Sequence, residues 1–208
     1  MQTKKILAVL AHPDDESFGM GGTLALYAQQ GAEVHLICAT RGEAGEVDEK
    51  FLEGYDSIAE RRESELRCAA SHLGLKNVHF LSYRDSGMTG SLDNQHPEAL
   101  INAPLEKVTG EVVEYIRTLQ PDLVLTFDPV GGYHHPDHIH IQKAAVEAFL
   151  RETIGFPGMS EVVSETMTRL GRHSVESLEH VLDVDREARA VSAELIRFHE
   201  GKVSKKTS

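Results

Sequence analysis

The stretch Ala11-His12-Pro13-Asp14-Asp15-Glu16 follows a short apolar run at residues 6–10 and precedes a helix-like segment at residues 22–30. The apolar run is typical of a buried β-strand, so the sequence predicts a strand, a turn and a helix in that order. In open α/β sheets, ligands bind where the chain leaves the carboxyl end of a strand. An imidazole and three carboxylic acids are therefore expected at the edge of the sheet where ligands bind.

Two adjacent acids in this turn, Asp14 and Asp15, would repel each other unless a cation, a shared proton or open solvent relieved the repulsion. A divalent metal resolves it best, because His12 and Asp15 can direct a nitrogen and an oxygen to one ion, as zinc accepts. Asp14 would then stay free as a base. The alternative is that Asp14 or Asp15 caps the following helix, with Pro13 setting the turn.

A second polar cluster, residues 131–140 (GGYHHPDHIH), repeats this arrangement far down the chain. It follows the apolar residues 123–127 and precedes a helix-like segment at residues 137–150. If the two strands are neighbours, both His-Pro-Asp turns lie at one edge of the sheet. Three protein ligands and an open position form a catalytic zinc site, which His12, Asp15 and one histidine of this cluster would supply.

The order of elements predicts an α/β fold with a Rossmann-like, mainly parallel sheet and helices on both faces. Further strands are expected at residues 33–39, 78–82 and 123–127, and helices at residues 57–73 and 104–119. The glycines at positions 19, 21 and 22 do not make a dinucleotide fingerprint, because the sixth position is Leu24. They are expected to let a helix pack close to the sheet.

After residue 150 the sequence is less informative. A polar, partly helical stretch is expected at residues 151–176, a short run at 178–184 and a charged helix at 186–200. The prediction is a single domain over residues 1–208 that ends in a mobile polar tail, residues 201–208.

Composition narrows the class of protein. The chain has 208 residues, is 40% hydrophobic and carries a formal net charge of −12, which disfavours nucleic acid or an anionic membrane surface as a partner. Neither a membrane span nor a signal peptide is expected, since the first residues run directly into a strand. Cys38 and Cys68 are expected to be buried free thiols in a reducing cytoplasm. Homo-oligomerisation is left open.

The two clusters, together with residues 41–46 (RGEAGE), 62–66 (RESEL), 83–88 (YRDSGM) and 127–129 (FDP), resemble the signature of the LmbE/PIG-L-like zinc N-deacetylases. The resemblance is nearest to the branch with the mycothiol biosynthesis deacetylase and the mycothiol-conjugate amidase. It implies an LmbE-like fold and removal of acetyl groups from N-acetylglucosamine-type amino sugars. The chain departs from larger family members after residue 150, where they carry further strands and loops.

The resemblance also implies roles for individual residues. His138 would be the third metal ligand, and its position after Pro136 parallels that of Asp15 after Pro13. Asp14 would be the general base that activates a metal-bound water as nucleophile. The substrate would be bound by Arg62, by Asp85 through a sugar hydroxyl, and by Arg41.

The remaining polar residues of the second cluster would stabilise the transition state. His135 would hydrogen-bond the oxyanion, more strongly as an imidazolium, and Asp137 would hold the tautomer of His135. The hydroxyl of Tyr133 would donate to the same oxygen or to the leaving amine.

Three functions therefore compete. The first is zinc-dependent hydrolysis of the N-acetyl amide of an N-acetylglucosamine-type small molecule. The second is an amidase acting on a thiol-sugar conjugate, and the third is a metal-binding relative without turnover. Zn²⁺ is the expected cofactor, and Fe²⁺ would suit the same ligands.

Overall fold

A computed structural model describes residues 3–171 and 177–203. Its sheet has four parallel strands in the order β3-β2-β1-β4. Their bounds are β1 Lys5–Leu10, β2 Glu33–Cys38, β3 Asn77–Phe80 and β4 Leu123–Leu125. The prediction of a parallel α/β sheet is confirmed. Strands β1 and β4 are neighbours, as is required if the two His-Pro-Asp clusters are to lie at the same edge of the sheet.

The helices connect the strands and continue beyond the sheet. Their bounds are α1 Asp15–Gln29, α2 Ile58–Leu73, α3 Leu105–Leu119, the short α4 Gly131–His134, α5 Pro136–Leu170 and α6 Leu178–Val203. The start of α2 follows from its sequence, because the Ser57 hydroxyl accepts a hydrogen bond from the Glu60 backbone N–H. Gly74 ends this helix in a left-handed conformation, with φ of 75°.

Side chains alternate between the two faces of the sheet. On one face, strand residues such as Leu10 and Leu36 pack with Leu24 of α1 and Leu66 of α2 in a buried cluster. On the other face, the ring of His79 lies 6.2 Å from that of His35 and 4.9 Å from that of Tyr115 in α3. Helices therefore cover both faces, as predicted.

Helix α1 begins at Asp15, and the prediction of a start at residue 22 is wrong. The Asp14 carbonyl accepts hydrogen bonds from the N–H groups of Ser17 and Phe18, which form the first turn. The glycines lie inside this helix. A Cβ at Gly21 would lie 3.6 Å from the Leu73 side chain of α2, an ordinary contact, and a Cβ at Gly19 or Gly22 would meet nothing within 4 Å. The expectation that these glycines let a helix pack close to the sheet is therefore wrong.

Two compact units divide the chain, Met1–Ala148 and Phe149–Ser208. In the second unit, Val162 of α5 and Leu195 of α6 are the buried residues of a small apolar cluster. The expected break between residues 184 and 186 is wrong, because α6 is one helix from Leu178 to Val203. The first residues of the predicted mobile tail continue this helix, while residues 172–176 and 204–208 lie outside the described part. The single-domain assignment stays a prediction.

A helix that crosses a bilayer needs about 20 predominantly apolar residues. No helix within residues 3–171 and 177–203 combines the length and the apolar character needed.

Candidate active site

The two His-Pro-Asp turns meet at the carboxyl ends of β1 and β4. His12 Nδ1 lies 3.2 Å from His138 Nε2, and the carboxylate of Asp15 lies 3.3 Å from His138 Nε2 and 3.6 Å from His12 Nδ1. Zinc binds nitrogen and oxygen at about 2.0–2.2 Å, so tetrahedral ligands lie roughly 3.4 Å apart. The closest approaches between these three side chains therefore suit neighbouring ligands of one ion, with Asp15 approaching His138 through Oδ1 and His12 through Oδ2.

Backbone contacts orient two of these side chains. One oxygen of the Asp15 carboxylate accepts hydrogen bonds from the His12 N–H at 2.7 Å and from the Ala11 N–H at 3.2 Å. The Asp15 carboxylate is therefore turned back toward the strand end. On the other side, His138 Nδ1 lies 3.2 Å from the Gly131 carbonyl, so His138 Nε2 is left to face His12. A metal-binding histidine commonly donates its second ring N–H in this way.

His12 is held through its second nitrogen by two buried carboxylates. His12 Nε2 lies 3.1 Å from Asp137 and 3.3 Å from Asp85. Burial lowers the pKa of His12, but hydrogen bonds with Asp137, Asp15 and Asp85 outweigh burial and raise it well above the usual value. Three carboxylates around one imidazole call for positive charge, which a divalent ion would supply.

The Asp137 carboxylate does not make the predicted contact with His135. In the described contacts it accepts from His12 and, at 2.9 Å, from the Ser86 N–H. His135 is instead held by the main chain, because the Asp137 backbone N–H donates to His135 Nδ1 at 3.2 Å. Because Nδ1 of His135 accepts this hydrogen bond, the main chain fixes the tautomer of His135. The sequence had predicted that role for the Asp137 carboxylate.

His135 is neutral near pH 7 in this structure. Burial and, secondly, the charge of His12 lower the pKa of His135 to about 4. A neutral His135 would bind an oxyanion less strongly than an imidazolium, and because its Nδ1 accepts a hydrogen bond, its ring proton lies on Nε2. His12, His135 and His138 each have one nitrogen within 4.8 Å of the others, so His135 can reach a molecule bound beside the ligands.

Asp14 directly precedes Asp15 in the first His-Pro-Asp turn, and its side chain is 49% exposed. Although it occupies the N-cap position of α1, its carboxylate makes no capping hydrogen bond, so the capping alternative is wrong for this side chain. Burial raises the pKa of Asp14 while Arg62 opposes the shift. A carboxyl group with a raised pKa is a better base than an ordinary aspartate.

Arg62 contacts the first His-Pro-Asp turn directly. Its Nη2 donates to Asp14 Oδ2 at 2.8 Å and to the Pro13 carbonyl at 2.5 Å, and its Nη1 donates to the Gly42 carbonyl at 3.2 Å. Gly42 has φ of +70°, and a Cβ there would lie 2.1 Å from Arg62 Nη1. The loop after β2 thus needs glycine at this position to receive the guanidinium.

Of the other predicted site residues, Arg41 is hydrogen-bonded within the protein, whereas Tyr133 is exposed. Arg41 Nε donates to Glu63 at 2.9 Å, and its guanidinium lies 4.9 Å from the Phe80 ring centre, so it is engaged within the protein. The Tyr133 side chain is exposed, with its ring centre 6.0 Å from that of His135 and 5.1 Å from that of His138. Tyr133 therefore lies at the open side of the cluster.

Comparison with known families agrees with this geometry. Residues 7–149 match the family described as PIG-L, GlcNAc-PI de-N-acetylase, and this range holds both His-Pro-Asp turns. The chain belongs to the PIG-L family. A shorter match, to the DXP reductoisomerase C-terminal domain, covers residues 141–191.

Curated relatives in the PIG-L family are named 1D-myo-inositol 2-acetamido-2-deoxy-alpha-D-glucopyranoside deacetylase. The protein from Rhodococcus opacus is 44% identical over 160 residues, which cover 71% of this chain and 55% of that protein. The protein from Rhodococcus erythropolis is 43% identical over 170 residues, covering 76% of this chain and 57% of that protein. The chain thus spans little more than half the length of these relatives.

Solved structures with this fold include two different activities. N,N'-diacetylchitobiose deacetylase from Pyrococcus horikoshii aligns with a TM-score of 0.58 and 26% identity, covering 93% of this chain and 71% of that one. The 4-carboxy-2-hydroxymuconate hydratase from Pseudomonas putida aligns with a TM-score of 0.55 and 28% identity, covering 74% and 60%. The fold alone therefore does not decide the reaction.

The PIG-L signature residues mostly converge, but sequence reasoning missed two of their neighbours. Ser86, fully buried, donates to Asp137, and Glu16, 1% exposed, accepts from the turn that holds Asp14. Both residues lie inside the sequence motifs quoted above. Their burial and their hydrogen-bond partners, which indicate their roles, are visible only in the structure. Arg41 is the predicted site residue that is engaged elsewhere.

Proposed function

We propose that this PIG-L family member hydrolyses the N-acetyl amide of an N-acetylglucosamine-type small molecule. The observation that carries the proposal is the close approach of His12, Asp15 and His138, at 3.2 to 3.6 Å, while the adjacent acid, Asp14, is outside this set and pairs with Arg62. A structural metal site needs ligands and no free base. A hydrolytic site needs both.

The cofactor we propose is Zn²⁺, held by His12, Asp15 and His138. When bound, it would polarise the amide carbonyl and lower the pKa of water from 15.7 to about 7. Two neutral imidazoles and one carboxylate would leave the ion with net positive charge. Fe²⁺ remains an alternative, because affinity alone does not select the metal.

The side chains divide the remaining work. Asp14 would take a proton from the attacking water as the oxygen of that water bonds to the acetyl carbon. His135 Nε2–H would donate to the carbonyl oxygen as negative charge develops there. When the carbon–nitrogen bond breaks, the proton on Asp14 would pass to the leaving amine, so the products are acetate and the free amino sugar. Tyr133, on the open side, could donate to the same oxygen or to the amine.

Substrate binding by Arg62, Asp85 and Arg41 is part of the proposal, with unequal support. Arg62 already contacts Asp14, so it can touch both the base and a bound sugar. A surface cavity of about 330 Å³ beside it is lined by Asp14, Arg62 and the exposed Phe18 but by none of the three proposed metal ligands, so it would hold a part of the substrate away from the amide. Asp85 is buried against His12, which limits its reach, and Arg41 is paired with Glu63.

The substrate class is supported by two relatives whose names specify acetyl groups on glucosamine units, an inositol glycoside and diacetylchitobiose. A cytoplasmic location and a small-molecule partner fit such a substrate. Homo-oligomerisation stays a prediction. The amidase alternative shares every residue of the site and differs in the acyl group accepted.

The test is acetate release by the zinc-loaded protein from N-acetylglucosaminyl compounds that differ in the attached group. We expect release that a chelator abolishes and added zinc restores, and that Asp14→Ala loses while keeping its metal. Faster release of a longer acyl group from a thiol-sugar conjugate would favour the amidase. No amide hydrolysis by protein carrying one zinc per chain would favour the non-catalytic relative.

A further inference from the structure

Glu16 is a buried acid with no role in the proposed chemistry. It is 1% exposed and lies one residue after Asp15, in the first turn of α1. One oxygen of its carboxylate accepts a hydrogen bond from the Asp14 backbone N–H at 3.0 Å. The other accepts from the Ser17 hydroxyl at 2.5 Å. A carboxylate seldom lies this deep without partners, and here both partners belong to the same turn.

The residue that Glu16 contacts has an unusual backbone. Asp14 has φ of 116°, in the left-handed region that residues other than glycine seldom adopt. Such a conformation persists when the surrounding structure over-determines it, and it concentrates at functional sites.

The peptide group between Pro13 and Asp14 is held from both sides. Its N–H donates to Glu16, and its carbonyl accepts from Arg62 Nη2, which also contacts the Asp14 carboxylate. φ of Asp14 is the rotation about its N–Cα bond, so it relates this fixed peptide plane to the rest of the residue, including its side chain. The two contacts together therefore determine where the Asp14 side chain points.

We propose that Glu16 is a positioning residue for Asp14, which it holds beside the metal ligands by accepting from the Asp14 N–H. The inference rests on the proposed function, in which Asp14 is the base. This positioning role differs from the stabilisation that any acid in the first turn of a helix provides. That general effect would stabilise α1 without acting through Asp14.

Three variants of the full chain, loaded with zinc, separate the two roles. Glu16→Leu keeps the buried volume and loses the acceptor, and we expect kcat to fall on the order of 100-fold with KM and metal content little changed. Glu16→Gln keeps an acceptor oxygen and should recover most of the rate. Ser17→Ala removes only the second contact of Glu16 and should behave as the wild type.

A double variant tests whether Glu16 acts through Asp14. If it does, Asp14→Asn/Glu16→Leu should be no slower than Asp14→Asn alone, because the group being positioned is already lost. Additive losses would overturn the proposal. So would loss of zinc by Glu16→Leu, since Glu16 would then support the ligands. If Glu16→Leu does not fold, Glu16→Asp, one methylene shorter, replaces it, and a full wild-type rate in Glu16→Asp overturns the proposal.

A crystal structure of Glu16→Leu, or of Glu16→Asp in its place, separates this proposal from the proposed function. We expect Asp14 to leave the left-handed region and its carboxylate to turn away from His12. An unchanged Asp14 would overturn the positioning role whatever the activity. If the wild-type protein releases no acetate, the proposed function fails. The conformation of Asp14 in the variant then decides by itself whether Glu16 holds Asp14 in place.

Discussion

His12 Nδ1 and His138 Nε2 lie 3.2 Å apart although 126 residues separate them in the chain. Their approach follows from the pairing of β1 with β4, which brings the turn after each strand to the same edge of the sheet. Two nitrogens at this distance are placed as neighbouring ligands of one ion. The predictions below test what the side chains around them do.

Asp15 and Asp14 should separate metal binding from rate. Asp15→Ala removes a carboxylate that lies 3.3 Å from His138, so we expect zinc content and activity to fall together. Asp14→Ala should keep one zinc per chain and lose rate by a factor of about 10² to 10⁴, as for a missing general base. Metal analysis and acetate release on the same samples check both. Equal zinc loss in the two variants would contradict the assignment.

His135 should act on the rate and leave the metal in place. His135→Ala removes the proposed oxyanion donor, which typically lowers kcat by about 10² to 10³. Because the pKa of His135 is about 4 in this structure, His135→Gln, whose amide N–H is a neutral donor, should recover part of the rate. Steady-state kinetics with zinc content as the control measure this. Recovery only by a cationic side chain would argue for an imidazolium instead.

Asp137 should tighten metal binding through His12, which it contacts at 3.1 Å. Asp137→Asn keeps the shape of the side chain and removes its charge, and loss of such a partner typically lowers metal affinity by about 10- to 100-fold. Competition with a chelator measures the zinc Kd. Asp48→Asn, on an exposed turn, is the matched control. If both variants bind zinc equally tightly, the contact with His12 does not support the ion.

The stability of the sheet should depend on pH through His79. Burial lowers the pKa of His79 below its usual value, and its Nε2 is buried with no hydrogen-bond partner among the described residues. Protonation therefore favours the unfolded chain. The contribution is fully present above the unfolded pKa of about 6.5 and is lost as pH falls through that value toward the folded pKa.

Thermal unfolding of the metal-free protein between pH 7.5 and pH 5 tests this sign. We expect Tm of the wild type to fall across that range, and His79→Phe, which keeps a ring against Tyr115, to fall less. The same substitution at the exposed His72 serves as the control. Parallel Tm curves for the wild type and His79→Phe would show that His79 does not contribute.

Local signals in the sequence anticipated the fold and the close approach of the three proposed metal ligands. The apolar runs before His12 and before His134 marked strands, and the alternation of strands with amphipathic helices marked a parallel sheet. The proposal of a metal followed from local signals as well, because adjacent acids beside an imidazole repel each other unless a cation, a shared proton or solvent relieves the repulsion. These properties depend on residues close together in the chain.

Tertiary structure alone decided which partners the side chains chose. The Asp137 carboxylate contacts His12 instead of His135, and Arg62 contacts Asp14, across 125 and 48 residues of sequence. The physical reason is that hydrogen bonds between distant residues depend on how two loops are set relative to each other and on which ring nitrogen faces which oxygen. The spacing of residues along the chain determines neither the placement of the loops nor the orientation of the rings. The residues that contact His12 and Asp14 could therefore be identified only from the tertiary structure.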